Sequence, residues 1–279
     1  MKVALETFRN AIYSPGEPVQ ISDTELQQFT KNCVVALAVG GEGSRLKAVT
    51  ESEQVHKTAL PLPGGDTMTG RTIRMYRDAG FRDFVALVFH HAQSVIDDLG
   101  DGSHLGVHIT YSHDPERPVG RGGAIRNALD NGSIPRTKAL IVHNPDDQIV
   151  NYEGSFPRDI VAGHLAGVQK GALATAVVVD GTPYTYTGMQ IEHGVVEQIE
   201  MYPYIPIPTH VGVTVFSPPV YDYFTKLFDL TKKIDFESVL FPLLAEERRL
   251  YSFMIPGSCW LSVNDPKALA KLKELLQSQ

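Results

Sequence analysis

The first strong pattern in the chain is a run of seven apolar residues, Cys33-Val34-Val35-Ala36-Leu37-Ala38-Val39, that stops at a cluster of glycines. An unbroken apolar run of strand length suits a strand covered on both faces. Similar runs at 84–89, 107–111, 139–142 and 174–179 read as further strands. Between them, apolar residues spaced three or four apart predict helices over 69–80, 92–99, 122–129 and 160–169. Strand and helix in regular alternation predict an α/β fold, a mainly parallel sheet with helices on both faces.

The last third breaks the rhythm. Residues 189–191 and 195–199 flank His193-Gly194, so they read as a β-hairpin inserted into the α/β scheme. A strand follows at 211–216, helices follow Pro218 and Asp235, a short strand covers 251–255, and a helix covers 266–276. Ahead of the first strand, Ser22 and Glu25 form a Ser-x-x-Glu capping box before Leu26 and Phe29. Residues 1–31 are therefore expected to be a helical N-terminal extension, and 32–279 the main domain. No internal repeat or low-complexity linker is visible.

Composition narrows the function classes. With 279 residues, 43% of them hydrophobic, the chain can bury a full core. Its net charge is −7, with no Lys/Arg run long enough to track a phosphate backbone, so nucleic acid is not an expected partner. No stretch approaches the ~20 apolar residues that span a bilayer, and residues 1–6 do not resemble a secretory leader, so the cytoplasm is the expected compartment. The two cysteines, Cys33 and Cys259, lie in apolar surroundings and read as buried thiols.

Chemistry is concentrated where the first strand ends. In open α/β sheets, ligands sit at the carboxyl ends of the strands, and Gly40-Gly41-Glu42-Gly43-Ser44-Arg45-Leu46 leaves the first strand there. Glycines let backbone N–H groups approach an anion, and the planar guanidinium of Arg45 suits phosphate oxygens. An ordinary tight turn has the same glycines. The loop lacks the Gly-Lys-Ser/Thr ending of a Walker loop and the Gly-x-Gly-x-x-Gly spacing of a dinucleotide site.

A series of segments in fixed order then gives the loop a context. After the glycine loop come Thr50 and His56-Lys57-Thr58-Ala59-Leu60-Pro61. Next are Pro118-Val119-Gly120-Arg121-Gly122-Gly123-Ala124 and His143-Asn144-Pro145-Asp146. The series ends with His210-Val211-Gly212-Val213-Thr214-Val215-Phe216, Asp235-Phe236-Glu237 and Trp260-Leu261-Ser262-Val263. Together these resemble the sugar-1-phosphate nucleotidyltransferases, nearest in motif to the mannose-1-phosphate guanylyltransferase-like members. The resemblance covers residues 33–278. It implies a Rossmann-like, GT-A-like mixed sheet and joining of a nucleoside triphosphate, GTP slightly favoured, to a sugar-1-phosphate or similar phosphate ester, with release of pyrophosphate.

By this resemblance Arg45 and Lys57 are the catalytic cations, on the pyrophosphate and the α-phosphate. Gly40, Gly41, Gly43, Ser44, Gly120, Arg121, Gly122 and Gly123 bind the nucleotide, and Asp146 is the Mg²⁺ ligand. Gly188, Glu200, His210 and Ser262 fall on the sugar-phosphate side. The chain departs from the pattern at four of these places or beside them. His56 stands for a proline, Met201 for a phosphate-gripping lysine, Ser262 for a second metal-binding aspartate, and His210 for an asparagine. Asp265 could replace that aspartate, and Arg121 or His210 could supply positive or donor groups to an unusual acceptor. The same losses also fit a regulatory or assembly module that has kept the fold, and Asp146-Asp147 would suit a GT-A glycosyltransferase. A homo-oligomer is compatible with all three.

Overall fold

The computed structural model of the protein describes residues 2–16 and 20–277. Its helices are α1 (Lys2–Ile12), α2 (Asp23–Lys31), α3 (Lys47–Glu53), α4 (Met68–Asp78), α5 (Ala92–Leu99), α6 (Gly120–Asp130), α7 (Phe156–Gln169), α8 (Tyr221–Leu227), α9 (Phe236–Glu246) and α10 (Pro266–Gln277). The strands are β1 (Cys33–Val39), β2 (Asp83–Val88), β3 (His108–His113), β4 (Ala139–His143), β5 (Asp147–Ile149), β6 (Ala174–Val179), β7 (Thr182–Pro183), β8 (Thr187–Glu192), β9 (Val195–Met201), β10 (Tyr204–Ile205), β11 (Thr209–Phe216), β12 (Leu250–Ile255) and β13 (Trp260–Ser262).

Seven strands form one sheet in the order β12-β6-β11-β4-β1-β2-β3. Only β11 runs against its neighbours β4 and β6. The apolar run of β1 explains the layering: Cys33, Val35, Leu37 and Val39 pack into one core, Val34 and Ala36 into the other. Helices cover both faces, as the continuous apolar texture predicts. Because β11 is reversed, its first residues lie at the carboxyl ends of the parallel strands: His210 pairs with Val178 and Val213 with His143. The end of the sheet that receives ligands in α/β folds is thus lined by the ends of β1 and β4 and the start of β11.

The hairpin expected in the last third is β8–β9, longer at both ends than the pattern predicts. Five short elements escape the sequence pattern: α3, the two-residue strands β7 and β10, which pair, and the three-residue strands β5 and β13, which also pair. The predicted capping box is present, with Glu25 N–H on Ser22 Oγ at 3.2 Å and Ser22 N–H on Glu25 Oε2 at 2.8 Å. The extension carries two helices rather than one. Near α2, Ile21 is buried and its carbonyl accepts from Arg158 Nη2 at 2.6 Å. Cys33 and Cys259 are buried free thiols, and burial pushes the Cys33 thiol up. Among the described residues no helix is long and apolar enough to cross a membrane.

Two core histidines give the fold a pH signature. His164 bonds Thr175 Oγ1 at 2.9 Å and Ser217 Oγ at 3.1 Å, and His143 bonds Tyr76 O–H at 3.0 Å and the Asp147 carbonyl at 2.9 Å. Burial lowers each ring to about 4. A histidine whose folded pKa lies below its unfolded value binds its proton only on unfolding, so its stabilisation is present above ~6.5 and lost as pH falls toward 4. Thermal melting is expected to show a midpoint that drops through this window. In His164→Gln the slope should be shallower by roughly one proton; an unchanged slope would show that His164 does not titrate on unfolding.

Candidate active site

The glycine loop begins immediately after Val39, the last residue of β1. The Gly40 carbonyl accepts from His90 N–H at 3.4 Å, tying the ends of β1 and β2 together. Gly43 takes φ +65, a left-handed turn that glycine adopts without penalty, and the chain then enters a single helical turn, Ser44–Leu46. Leu46 is buried and anchors that turn in a small apolar cluster with Leu60, Leu62, Met68, Val150, Val263, Leu269 and Leu272. This cluster brings the loop, the Lys57 segment and the C-terminal helix to one place. Ser44 and Arg45 stay exposed, and among the described residues no ion pair engages Arg45.

Lys57 sits beneath the loop, with its side chain against Gly43, where a Cβ would lie 3.3 Å from Lys57 Cδ. Its ammonium forms an ion pair with Asp146 Oδ2 and donates to Asn264 Oδ1 at 3.0 Å. Both partners are largely covered, the Lys57 side chain at 14% exposure and Asp146 at 12%. Asn264 in turn donates to Ser262 Oγ at 2.6 Å. Residues that are 205 positions apart in sequence, Lys57 and Ser262, are thereby joined through one amide.

Asp146 is held in place by the short β5–β13 ladder, in which Ser262 lies opposite Asp147 and Val263 N–H donates to the Asp146 carbonyl at 2.7 Å. Asp147 turns away to Trp260 Nε1 at 3.0 Å and Asn144 Nδ2 at 3.2 Å. Burial, and next the negative charge of Asp146, push the Asp147 carboxyl up. The cation that meets this pair of carboxylates in the structure is the Lys57 ammonium, on Asp146. Gly212, at φ +70, leaves the room that Asp147 and Asn144 occupy.

Asp265 does not take the place of the missing aspartate. It is exposed and caps α10, accepting from Ala268 N–H at 2.9 Å. Asn264 is the neighbour that reaches Lys57, and the sequence signal for it is only its position two residues after Ser262. Among the described residues no group of three or more His, Cys, Asp or Glu is placed to hold a metal.

The second glycine segment opens α6. Gly120, at φ +74, packs against the Ile234 backbone, Gly122 against the Phe228 ring, and Gly123 against Val119. Their lack of a side chain is thus a packing requirement. The first amides of α6 are also engaged: Arg121 N–H donates to Asp235 Oδ1 at 2.9 Å and Gly122 N–H to the Ile234 carbonyl at 3.1 Å. The Arg121 guanidinium faces Asp235, with Nε 3.3 Å from Oδ1, and lies 3.0 Å from Glu237 Oε1. Its charge is therefore matched by two carboxylates rather than left open to a ligand.

On the other side of the sheet end, His210 is no source of positive charge, contrary to the sequence expectation. Burial lowers it to about 4, and Nε2 lies 3.0 Å from Thr214 Oγ1 and 3.2 Å from the Val213 carbonyl. Gly188 and Glu200 are brought together as directly paired residues of the β8–β9 hairpin, next to Thr187 and Met201. Met201 is exposed and accepts a contact from Thr187 Oγ1 at its sulfur, 3.2 Å away.

A family model described as Nucleotidyl transferase matches residues 34–279, nearly the whole of the chain beyond α2. The chain belongs to the nucleotidyl transferase family. Among relatives within reach of sequence comparison is a mannose-1-phosphate guanyltransferase from Pichia angusta, 28% identical over 242 residues, covering 83% of this chain and 60% of that protein. A mannose-1-phosphate guanyltransferase from Saccharomyces cerevisiae is 26% identical, with 83% and 61% covered. The chain thus spans about 60% of the length of the curated relatives it matches. A solved structure from Bacillus anthracis, assigned as a glucose-1-phosphate thymidylyltransferase, superposes with a TM-score of 0.67 at 17% identity, covering 88% of this chain and 96% of that one. That likeness establishes that the nucleotidyl transferase fold is shared.

Proposed function

We propose that this nucleotidyl transferase joins a nucleoside triphosphate to a sugar-1-phosphate or a similar phosphate ester, giving a nucleotide sugar and pyrophosphate. The observation that carries the reading is the covered Lys57–Asp146 pair lying against the glycine loop at the carboxyl end of β1. The reaction is an in-line displacement. A phosphate oxygen of the acceptor forms a bond to the α-phosphorus, the bond from that phosphorus to the bridging oxygen of the β-phosphate breaks, and the electron pair leaves with pyrophosphate. Little covalent chemistry is asked of the protein, so positioning and charge neutralisation dominate.

The residues divide that work. Backbone N–H groups of Gly41 to Ser44 and the guanidinium of Arg45, without an ion pair among the described residues, meet the departing pyrophosphate. Lys57 shares its ammonium between Asp146 and the α-phosphate. Asp146 fits a divalent cation such as Mg²⁺, which commonly takes one or two carboxylates and completes its shell with water and substrate phosphates. When bound, that ion supplies charge neutralisation at the reacting phosphates. The glycines of α6 frame the base site by shape, since their first amides are already engaged. Gly188 and Glu200 offer the acceptor sugar a backbone and a carboxylate. His210 and Ser262 add neutral groups only.

GTP is favoured because the relatives found by sequence are mannose-1-phosphate guanyltransferases. A second reading, a regulatory or assembly module, is favoured by Met201 and Ser262, which cannot grip a phosphate or replace a metal-binding carboxylate. The two are separated by purified protein with Mg²⁺, each of the four triphosphates and a panel of sugar-1-phosphates, followed by pyrophosphate release. Turnover with GTP and mannose-1-phosphate supports transfer. Nucleotide binding without turnover across the panel supports the module.

A further inference from the structure

The glycine loop has a conformational problem that one residue solves. Gly41 is exposed, a Cβ built on it would touch nothing within 4 Å, and its neighbour Gly40 is a glycine too, so packing does not define its backbone. A loop that must present N–H groups to phosphate oxygens loses affinity if it has to be ordered on binding. Among the described residues, one hydrogen bond reaches Gly41, from the imidazole of His56.

His56 is built for that bond. The residue is 2% exposed, with Nε2 3.0 Å from the Gly41 carbonyl. The carbonyl can only accept, so Nε2 carries the proton. Nδ1 is then the acceptor, and it faces the Thr58 N–H at 3.3 Å and Thr58 Oγ1 at 2.8 Å. The His56 backbone N–H donates to Ser94 Oγ at 2.8 Å, and that hydroxyl donates to the His91 carbonyl at 2.7 Å. One side chain and its own amide therefore connect three segments: the loop after β1, the Lys57 turn, and the first turn of α5. Lys57 is the next residue, and its ammonium has its own partners in Asp146 and Asn264.

We infer that His56 is a positioning residue that holds the Gly40–Arg45 loop in its phosphate-receiving conformation. The inference rests on the proposed nucleotide site and deepens it, because His56 stands where the resembling family has a proline, which could not donate to Gly41. At φ −65 and ψ 144 the His56 backbone suits either residue, so backbone shape alone does not require the imidazole.

The test compares His56→Leu, which fills the space without a donor, with His56→Gln, whose amide N–H can reach the same carbonyl. Hydrogen exchange of the full chain without nucleotide is expected to be about tenfold or more faster across 40–46 in His56→Leu, and unchanged in β2. His56→Gln should stay within about threefold of the parent. In turnover, His56→Leu should raise KM for the triphosphate about tenfold with kcat within about threefold, the split that separates loop ordering from chemistry. If the leucine variant does not fold, His56→Asn, polar but too short to reach Gly41, takes its place. Parental exchange and KM in the leucine variant, or equal losses in the leucine and glutamine variants, would overturn the inference. If the parent itself shows no turnover, the proposed function fails while the exchange result still decides the role of His56.

Discussion

Replacing Asp146 with alanine, and separately Arg45 with alanine, is expected to lower turnover by about 100-fold or more in each case, the usual scale for loss of charge stabilisation in a transition state. The two losses arise differently. Asp146→Ala removes the counter-charge of Lys57, leaving a largely covered ammonium with Asn264 Oδ1 as its remaining partner among the described residues. Arg45→Ala removes an exposed cation that pairs with nothing in the described structure, so it should leave stability almost unchanged. Steady-state rates with melting midpoints of both variants check this. Parental rates in both would remove the site assignment altogether.

The second large effect belongs to the framework. Gly120→Ala is expected to destabilise the protein by about 2–5 kcal/mol, combining a non-glycine residue in the left-handed region with a clash. The backbone sits at φ +74, and an added Cβ would lie 2.6 Å from the Ile234 carbonyl oxygen. That neighbour is main chain, itself bonded in both directions to Val119 and Gly122, so no rotamer change can relieve the contact. A drop of roughly 5–15 °C in melting midpoint follows for a chain of this size. Calorimetry showing a shift under 2 °C would mean that α6 can move away from Ile234.

The sheet was legible because buried parallel strands read as unbroken apolar runs. β1 and β6 match the pattern residue for residue, and β11 differs only by the two residues ahead of its bulge. The glycine loop, Lys57 and Asp146 were legible as motifs, and the structure brings the lysine and the aspartate into contact across 89 positions. What the sequence concealed was pairing between distant short segments. Asp147-Gln148-Ile149 is too short and polar to signal a strand, yet its ladder with Trp260–Ser262 positions Asp146.

The same reason hid Asn264 and misplaced Asp265. Substituting one acidic candidate for another treats position in sequence as position in space, whereas the start of α10 points Asp265 to its own cap and leaves Asn264 beside Lys57. His210 and Arg121 carried formal promise as donors for the acceptor. Their surroundings decide otherwise: burial lowers the imidazole and its Nε2 is turned to the Val213 carbonyl, and two carboxylates meet the guanidinium. The carboxylates come from the start of α9, 114 positions along the chain from Arg121 in the case of Asp235.

The most direct measurement is ³¹P NMR of the protein with Mg²⁺, GTP and mannose-1-phosphate, repeated with the other triphosphates and sugar phosphates. The expected result is the joint appearance, in equal amounts, of a diphosphate ester and inorganic pyrophosphate with at least one pair, and its loss in Asp146→Ala. Unchanged spectra with every pair, or release of orthophosphate in place of pyrophosphate, would contradict nucleotidyl transfer.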